Sequence, residues 1–253
     1  MREGFGAGNT LDMAIQSAPV LVTRPRAEAE AFAASLQARF GDRIRSVVAP
    51  LLAPRFLTPV IPESGYAAVI FTSAQAVEAA LRLNHPFPRL AWCVGRKTAE
   101  VARAAGFSAR SAEGDAETLA KAILRDPPRG RVLYLRGVDT RGNLLEILHN
   151  SGVATDDAIV YEQQQQPLTQ EAVSLLRAPL DTIVPLFSPR TATLFLASLP
   201  ADLRARVHFA AMSASVAEPL HATFHVQLVV ARHPDAPSML DAVETLLARW
   251  PVP

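Results

Sequence analysis

The sequence predicts an α/β fold of two doubly wound parallel-sheet domains. Three observations carry that prediction. Apolar strand-like runs alternate with helical patterns of about 10–15 residues, which is how parallel sheets covered on both faces read. The series occurs twice. The second series also echoes the first: Val20-Leu21-Val22-Thr23-Arg24-Pro25 returns as Val132-Leu133-Tyr134-Leu135-Arg136-Gly137, 112 positions later. Phe71-Thr72-Ser73-Ala74-Gln75-Ala76 returns as Phe187-Ser188-Pro189-Arg190-Thr191-Ala192, and Val94-Gly95-Arg96-Lys97-Thr98-Ala99 as Met212-Ser213-Ala214-Ser215-Val216-Ala217. Each echo sits where an apolar run meets a small or polar residue before a helical pattern. Ligands of open α/β sheets bind at such strand ends, so two related half-sites are expected.

In chain order, Pro19 to Thr23 reads as a buried strand. Arg26 to Phe40 reads as a helix with Pro25 in its first turn and an apolar stripe at Ala29, Phe32, Ala33 and Leu36. Ile44 to Ala49 is a strand, and prolines at 50, 54, 59 and 62 mark a non-helical stretch. Strands at Ala67 to Phe71 and Leu90 to Val94 alternate with helices at Ala74 to Leu83 and Arg96 to Ala105, the latter closed by Gly106. Ala116 to Leu124 is another helix. The second pass has strands at Arg131 to Leu135, within Val153 to Tyr161, and at Thr182 to Phe187, Val207 to Ala211 and Val226 to Val230. Its helices include Gly142 to Asn150, Thr169 to Arg177 (capped by Thr169) and Ala236 to Arg249. Gln163 to Gln166 forms a polar run, and residues 1–17 read as a mobile tail.

Bulk properties exclude several function classes. The 253 residues are 49% hydrophobic and 19% charged, which suits one large or two modest globular domains. A net charge of +1 supplies no basic field for nucleic acid. The sole cysteine, Cys93, allows no disulfide framework and reads as a small core residue. No apolar run reaches the ~18 residues of a membrane span. The glycines at 4, 6 and 8 follow no strand and so make no dinucleotide fingerprint. His221 and His225 are spaced for two metal ligands on a helix, but the helical pattern fails there and no third ligand is indicated.

What remains is a set of strand-end hydroxyls and arginines. Thr72-Ser73 and Ser188-Pro189 each open a helix, where free N–H groups and the positive dipole end attract carboxylates. Gly95 to Thr98 offers another such terminus. The plainer reading of Ser73 and Ser188 is a helix cap. Arg24 and Arg136 end equivalent strands, where a guanidinium could clasp a carboxylate through two parallel bonds or simply face solvent. Tyr161 ends a strand; its hydroxyl could donate a proton, or the ring could be a half-buried strand residue.

Taken in order, these residues resemble the uroporphyrinogen-III synthase family over residues 19–250. The likeness rests on Thr23-Arg24-Pro25, Phe71 to Val77, Val94-Gly95 with Thr98-Ala99, Ala105-Gly106-Phe107, Leu135-Arg136-Gly137, Gly152-Val153, Val160-Tyr161-Glu162 and Phe187-Ser188-Pro189. The resemblance implies a cytoplasmic, monomeric enzyme of tetrapyrrole biosynthesis. It would cyclise hydroxymethylbilane with loss of water and inversion of ring D. It implies no metal and no organic cofactor, and as partners only that substrate and the enzyme that makes it. It also implies that the halves exchange pieces. Residues 18–49 with 167–253 would form one domain and 55–161 the other, with 50–54 and 162–166 as crossing linker strands. Tyr161 takes the position of the family's strand-end tyrosine and would assist loss of the hydroxyl. Arg24, Thr72, Ser73, Gln75, Gly95, Thr98, Arg136, Gly137, Ser188, Pro189, Ser213 and Ser215 would bind substrate.

Two departures stand against the pattern. Gln75 occupies a position where asparagine is common in the family. Ser213-Ala214-Ser215-Val216-Ala217 replaces a stretch that usually reads Gly-Pro-Thr-Thr-Ala. The loss of that glycine and one hydroxyl leaves a second reading open, in which the chain is a diverged, non-catalytic binding or regulatory relative.

Overall fold

In a computed structural model, residues 17–62, 65–140, 142–221 and 227–250 are described. The expected N-terminal tail lies outside them except for Ser17, as does His225. The chain divides into two compact units, residues 1–53 with 165–253, and residues 54–164.

The first unit begins with strand β1 (Ala18–Val22), helix α1 (Arg26–Phe40) and strand β2 (Ile44–Val48). β1 is buried along its whole length, and Ala29, Phe32, Leu36 and Phe40 form the buried stripe of α1. Pro25 is the N-cap of α1 rather than part of its first turn. Its extended ψ lets the chain turn off the strand before the helix starts.

Strand β3 (Leu52–Phe56) then leads into the second unit, whose boundary falls inside it. The proline-marked stretch is therefore partly strand. Pro54 is tolerated because β3 lies at the edge of its sheet. Next come β4 (Tyr66–Phe71), α2 (Ala74–Arg82), β5 (Leu90–Cys93), α3 (Arg96–Ala104), β6 (Ser108–Ser111), α4 (Ala116–Arg125), β7 (Arg131–Gly137), α5 (Leu144–Asn150) and β8 (Thr155–Gln165). The sheet order is β3-β8-β7-β4-β5-β6, with β4, β5, β6, β7 and β8 paired in parallel.

Sequence patterning misses β6 because it is a short polar edge strand in which Ala109 alone is buried. Helix α5 begins two residues later than expected, since Gly142 sits at φ +76°, outside helical space. The polar run of glutamines continues β8 to Gln165 rather than ending the strand. The extension is polar and lies beside β3, its hydrogen-bonded neighbour in the sheet, and just beyond the two strands the Gln166 N–H donates to the Leu51 carbonyl at 2.9 Å.

The chain re-enters the first unit and forms α6 (Gln170–Arg177), β9 (Asp181–Leu186), α7 (Pro189–Ala197), β10 (Arg206–Ala211), the short α8 (Ala214–Ala217), β11 (Gln227–Val230) and α9 (Ala236–Leu247). The order is β11-β10-β9-β1-β2, with parallel pairing throughout. Thr169 caps α6 by accepting the Ala172 N–H. Both sheets are thus parallel-dominated and carry helices in alternation, as the sequence predicts.

Each sheet has a core on both faces. In the second unit, Val69, Phe71, Leu133, Leu135 and Val160 pack under α2 and α3, while Ile70, Tyr134, Leu119 and Ile123 pack on the other side. Phe71 is fully buried and meets Phe107 edge to face, with centroids 5.1 Å apart. Its burial anchors the strand end that carries Thr72 and Ser73. Phe71→Ala should cost about 3–5 kcal/mol of unfolding free energy, measured by urea denaturation followed by circular dichroism.

Candidate functional site

The C-terminal ends of β4, β5 and β7 point to one side of the six-stranded sheet, as parallel strands must. There the second unit holds a cavity of about 560 Å³. Thr72 and Ser73 enter from the end of β4, Val94 from the end of β5, Asp139 and Thr140 from the loop after β7, and Tyr161 from β8. Asp115, Ala116 and Glu117 supply the start of α4, and Gly142 and Asn143 the approach to α5.

Two tyrosines are fixed by the consecutive hydroxyls after β4. Ser73 Oγ donates to Tyr161 Oη at 2.9 Å and accepts the Ala76 N–H at 3.2 Å, capping α2. Thr72 Oγ1 lies 3.1 Å from Tyr134 Oη. Burial pushes the Tyr134 phenol above its ordinary pKa. Neighbouring strand residues face opposite sides, so one dipeptide reaches a tyrosine on each face.

Gly137 has a role the sequence did not disclose. It pairs with Tyr161 in the β7–β8 ladder. A Cβ at Gly137 would sit 2.6 Å from Tyr161 Cζ, so the phenol ring occupies the space a side chain would fill. The residue expected to bind substrate therefore makes room for Tyr161.

The cavity wall is acidic: Asp115, Glu117 and Asp139 line it, and no basic side chain does among the described residues. Asp115 is the N-cap of α4 and accepts from Thr118 N–H at 2.9 Å and from Thr118 Oγ1 at 2.8 Å. Those bonds hold its carboxyl below the usual aspartate range. Arg136 faces an adjacent hollow of about 260 Å³ that shares Thr140, Gly142 and Asn143 with the larger one. Its Nε donates to Asp157 at 2.6 Å and its Nη1 to the Gly137 carbonyl at 3.1 Å. A guanidinium has five N–H donors, so donors remain for a ligand carboxylate.

The other expected site residues are placed differently. Gln75 Oε1 accepts from Gln163 Nε2 at 2.6 Å, tying α2 to β8. Gly95 caps α3 in an extended conformation that any residue adopts, and Thr98 is buried in the first turn of that helix. In the first unit, Arg24 lies over the Phe187 ring with its guanidinium 4.1 Å from the centroid, and burial lowers its pKa. Ser188 caps α7, accepting the Thr191 N–H with Pro189 as the first helical residue. Ser213, the N-cap of the four-residue α8, and Ser215, inside that helix, hydrogen-bond to each other at 2.9 Å. Cys93 is buried, and that burial pushes its thiol up to about 11. Among the described residues, no group of His, Cys, Asp and Glu side chains gathers as a metal would require, and no helix is long and apolar enough to cross a membrane.

Asp115, Glu117, Asp139, Thr140 and Asn143 escape a sequence reading because they sit in loops and helix starts without periodicity. The cap signature Asp115-x-x-Thr118 before an apolar helix was the one available signal.

The family model for uroporphyrinogen-III synthase HemD matches residues 27–241. This chain belongs to the uroporphyrinogen-III synthase family. A comparison with curated proteins finds no match. Among solved structures, the uroporphyrinogen-III synthetase of Helicobacter pylori 26695 is similar at 18% identity, with 91% of this chain and 99% of that one covered and a TM-score of 0.60. A mutant uroporphyrinogen III synthase of the extremely thermophilic bacterium Thermus thermophilus shares 17% identity over 92% of this chain and 100% of that one, with a TM-score of 0.42. The first likeness establishes that this synthase-family chain shares the fold.

Two outcomes follow from the geometry. Gly137→Ala should displace the Tyr161 ring and lower the melting temperature by several degrees, about 1–3 kcal/mol of overpacking, read by calorimetry. Asp115 has a folded-state pKa below the ordinary 3.8, so its stabilising contribution is present above that value and fades as pH falls through the folded pKa. Asp115→Ala should therefore melt below wild type at neutral pH, with the gap closing as the solution is acidified past the aspartate range.

Proposed function

We propose that this chain closes hydroxymethylbilane to uroporphyrinogen III, with ring D inverted and water lost, as an enzyme of haem biosynthesis. Family membership supports the reaction class. The observation that carries the assignment to particular atoms is the phenol of Tyr161, held at the wall of a cavity at the strand ends and accepting a hydrogen bond from Ser73.

In this reading the hydroxymethyl end of the substrate enters that cavity. The Tyr161 O–H gives its proton to the departing hydroxyl, the C–O bond breaks and water leaves. The electron-rich pyrrole becomes a stabilised cation. The acidic wall formed by Glu117 and Asp139 favours positive charge there and repels the substrate's carboxylates toward the Arg136 hollow. Inversion requires ring D to change its attachment. Its already substituted α-carbon attacks the cation, and the bond from that carbon to the bridge of ring C breaks and leaves a cation on that bridge. The free α-carbon of ring D closes on it, and the proton that this carbon loses restores the phenol. The protein mostly positions a reactive chain so that the inverted closure wins. The enzyme works without a cofactor, as a cytoplasmic monomer on the product of the preceding enzyme.

A second reading, a non-catalytic relative, draws on Ser213 and Ser215, whose hydroxyls bond to each other where the family usually has a glycine and two threonines. One assay separates the two: incubation with enzymatically generated hydroxymethylbilane and resolution of the uroporphyrin isomers. Type III should dominate; type I alone, at the spontaneous rate, overturns the synthase reading. Arg136→Ala should raise KM roughly tenfold or more, since a charge-assisted bond contributes about 1.5–3 kcal/mol, with kcat little changed in steady-state assays.

A further inference from the structure

The hydroxyl of Ser73 is fully committed in a way that limits what it can do. A serine hydroxyl has one proton to donate. Here that proton goes to Tyr161 Oη, 2.9 Å away, while the oxygen accepts the Ala76 N–H at 3.2 Å. Nothing is left to donate to a substrate carboxylate. The same bond sets the polarity of Tyr161: its oxygen accepts from Ser73, so its own proton is kept for another acceptor. The ring is held too, because it packs on the bare backbone of Gly137, and Tyr161 is itself almost fully buried while lining the cavity.

We infer that Ser73 is a positioning residue that fixes Tyr161 as a proton donor, and not a binder of substrate carboxylates. This rests on the reading of Tyr161 as the proton source. The chain of control runs from the backbone of α2, through Ser73 Oγ, to the phenol. The Ala76 N–H occupies a lone pair of Ser73 and so orients its O–H toward Tyr161.

Three substitutions separate this from a purely structural cap. Ser73→Ala removes both bonds. Ser73→Asp keeps the cap, because aspartate is a good N-cap acceptor, but an ionised carboxylate has no proton to give and would instead take the proton of Tyr161. Ser73→Thr keeps both functions. Thermal melts report the cap, steady-state kinetics the chemistry, and the ¹³Cζ resonance of Tyr161 in protein labelled at tyrosine Cζ reports its hydrogen bonding. General-acid assistance contributes about 10²–10⁴-fold, and loss of its orientation should forfeit part of that. The expected result is that Ser73→Asp melts near wild type, turns over about tenfold more slowly at unchanged KM, and moves the Tyr161 resonance, while Ser73→Thr matches wild type in all three.

A raised KM with intact kcat in Ser73→Ala and Ser73→Asp would make Ser73 a substrate ligand and overturn the inference. So would wild-type kcat with an unmoved resonance. If the wild-type chain itself makes no type III isomer, the synthase reading fails, and the resonance alone then decides the positioning. A shift in Ser73→Asp but not in Ser73→Thr sustains it, and no shift in either overturns it.

Discussion

The contact between the Tyr161 ring and the bare backbone of Gly137 is the constraint on which the candidate site depends. It is made by strand register. β7 and β8 pair in parallel so that Gly137 lies opposite Tyr161, and the missing Cβ lets the ring lie across the strand. With the ring so placed, its oxygen falls within reach of Ser73 at the end of the neighbouring β4. Three adjacent strands thus converge on one phenol. The fully buried Phe71, Leu133 and Val160 hold those strands in place.

The electrostatics of the surroundings divide the labour. Acidic side chains gather around the cavity that Tyr161 lines, and Arg136 lies in the neighbouring hollow. Charge that develops on carbon is favoured beside the carboxylates, while anionic side chains of a ligand are favoured beside the guanidinium. Asp157 orients Arg136 through the 2.6 Å bond to its Nε, so the cation is braced from the strand next to its own. In the proposed reading, a fixed donor, a wall suited to cationic carbon and a place for anions together do what a positioning enzyme needs.

The fold class was legible because its signal is burial. Val20 to Val22 and Val69 to Phe71 are apolar runs too short for helices, and each precedes a helical stripe. β6 was not legible, since Ser108, Arg110 and Ser111 carry no apolar pattern and edge pairing alone makes the strand. At the site, Thr72 and Ser73 could be picked out because the end of β4 is visible in sequence, whereas Tyr161, read as ending a strand, lies inside β8, which runs on to Gln165. Their partnership could not, because it depends on the spatial order of β4, β7 and β8. For the same reason the sequence does not disclose that the space beside Gly137 is filled by a side chain 24 positions along the chain. The hydrogen bond between the amides of Gln75 and Gln163 is likewise invisible in sequence, because the two residues lie far apart along the chain.

The central claim is that the Tyr161 hydroxyl, fixed by Ser73 over Gly137, supplies the proton that releases water. The most direct test is single-turnover conversion of hydroxymethylbilane by Tyr161→Phe, which leaves the ring over Gly137 and removes the oxygen alone. The account predicts that the rate of type III formation falls by roughly 10²-fold or more, with the type I isomer accumulating as spontaneous closure overtakes it. A variant that forms the type III isomer at the wild-type rate would contradict it.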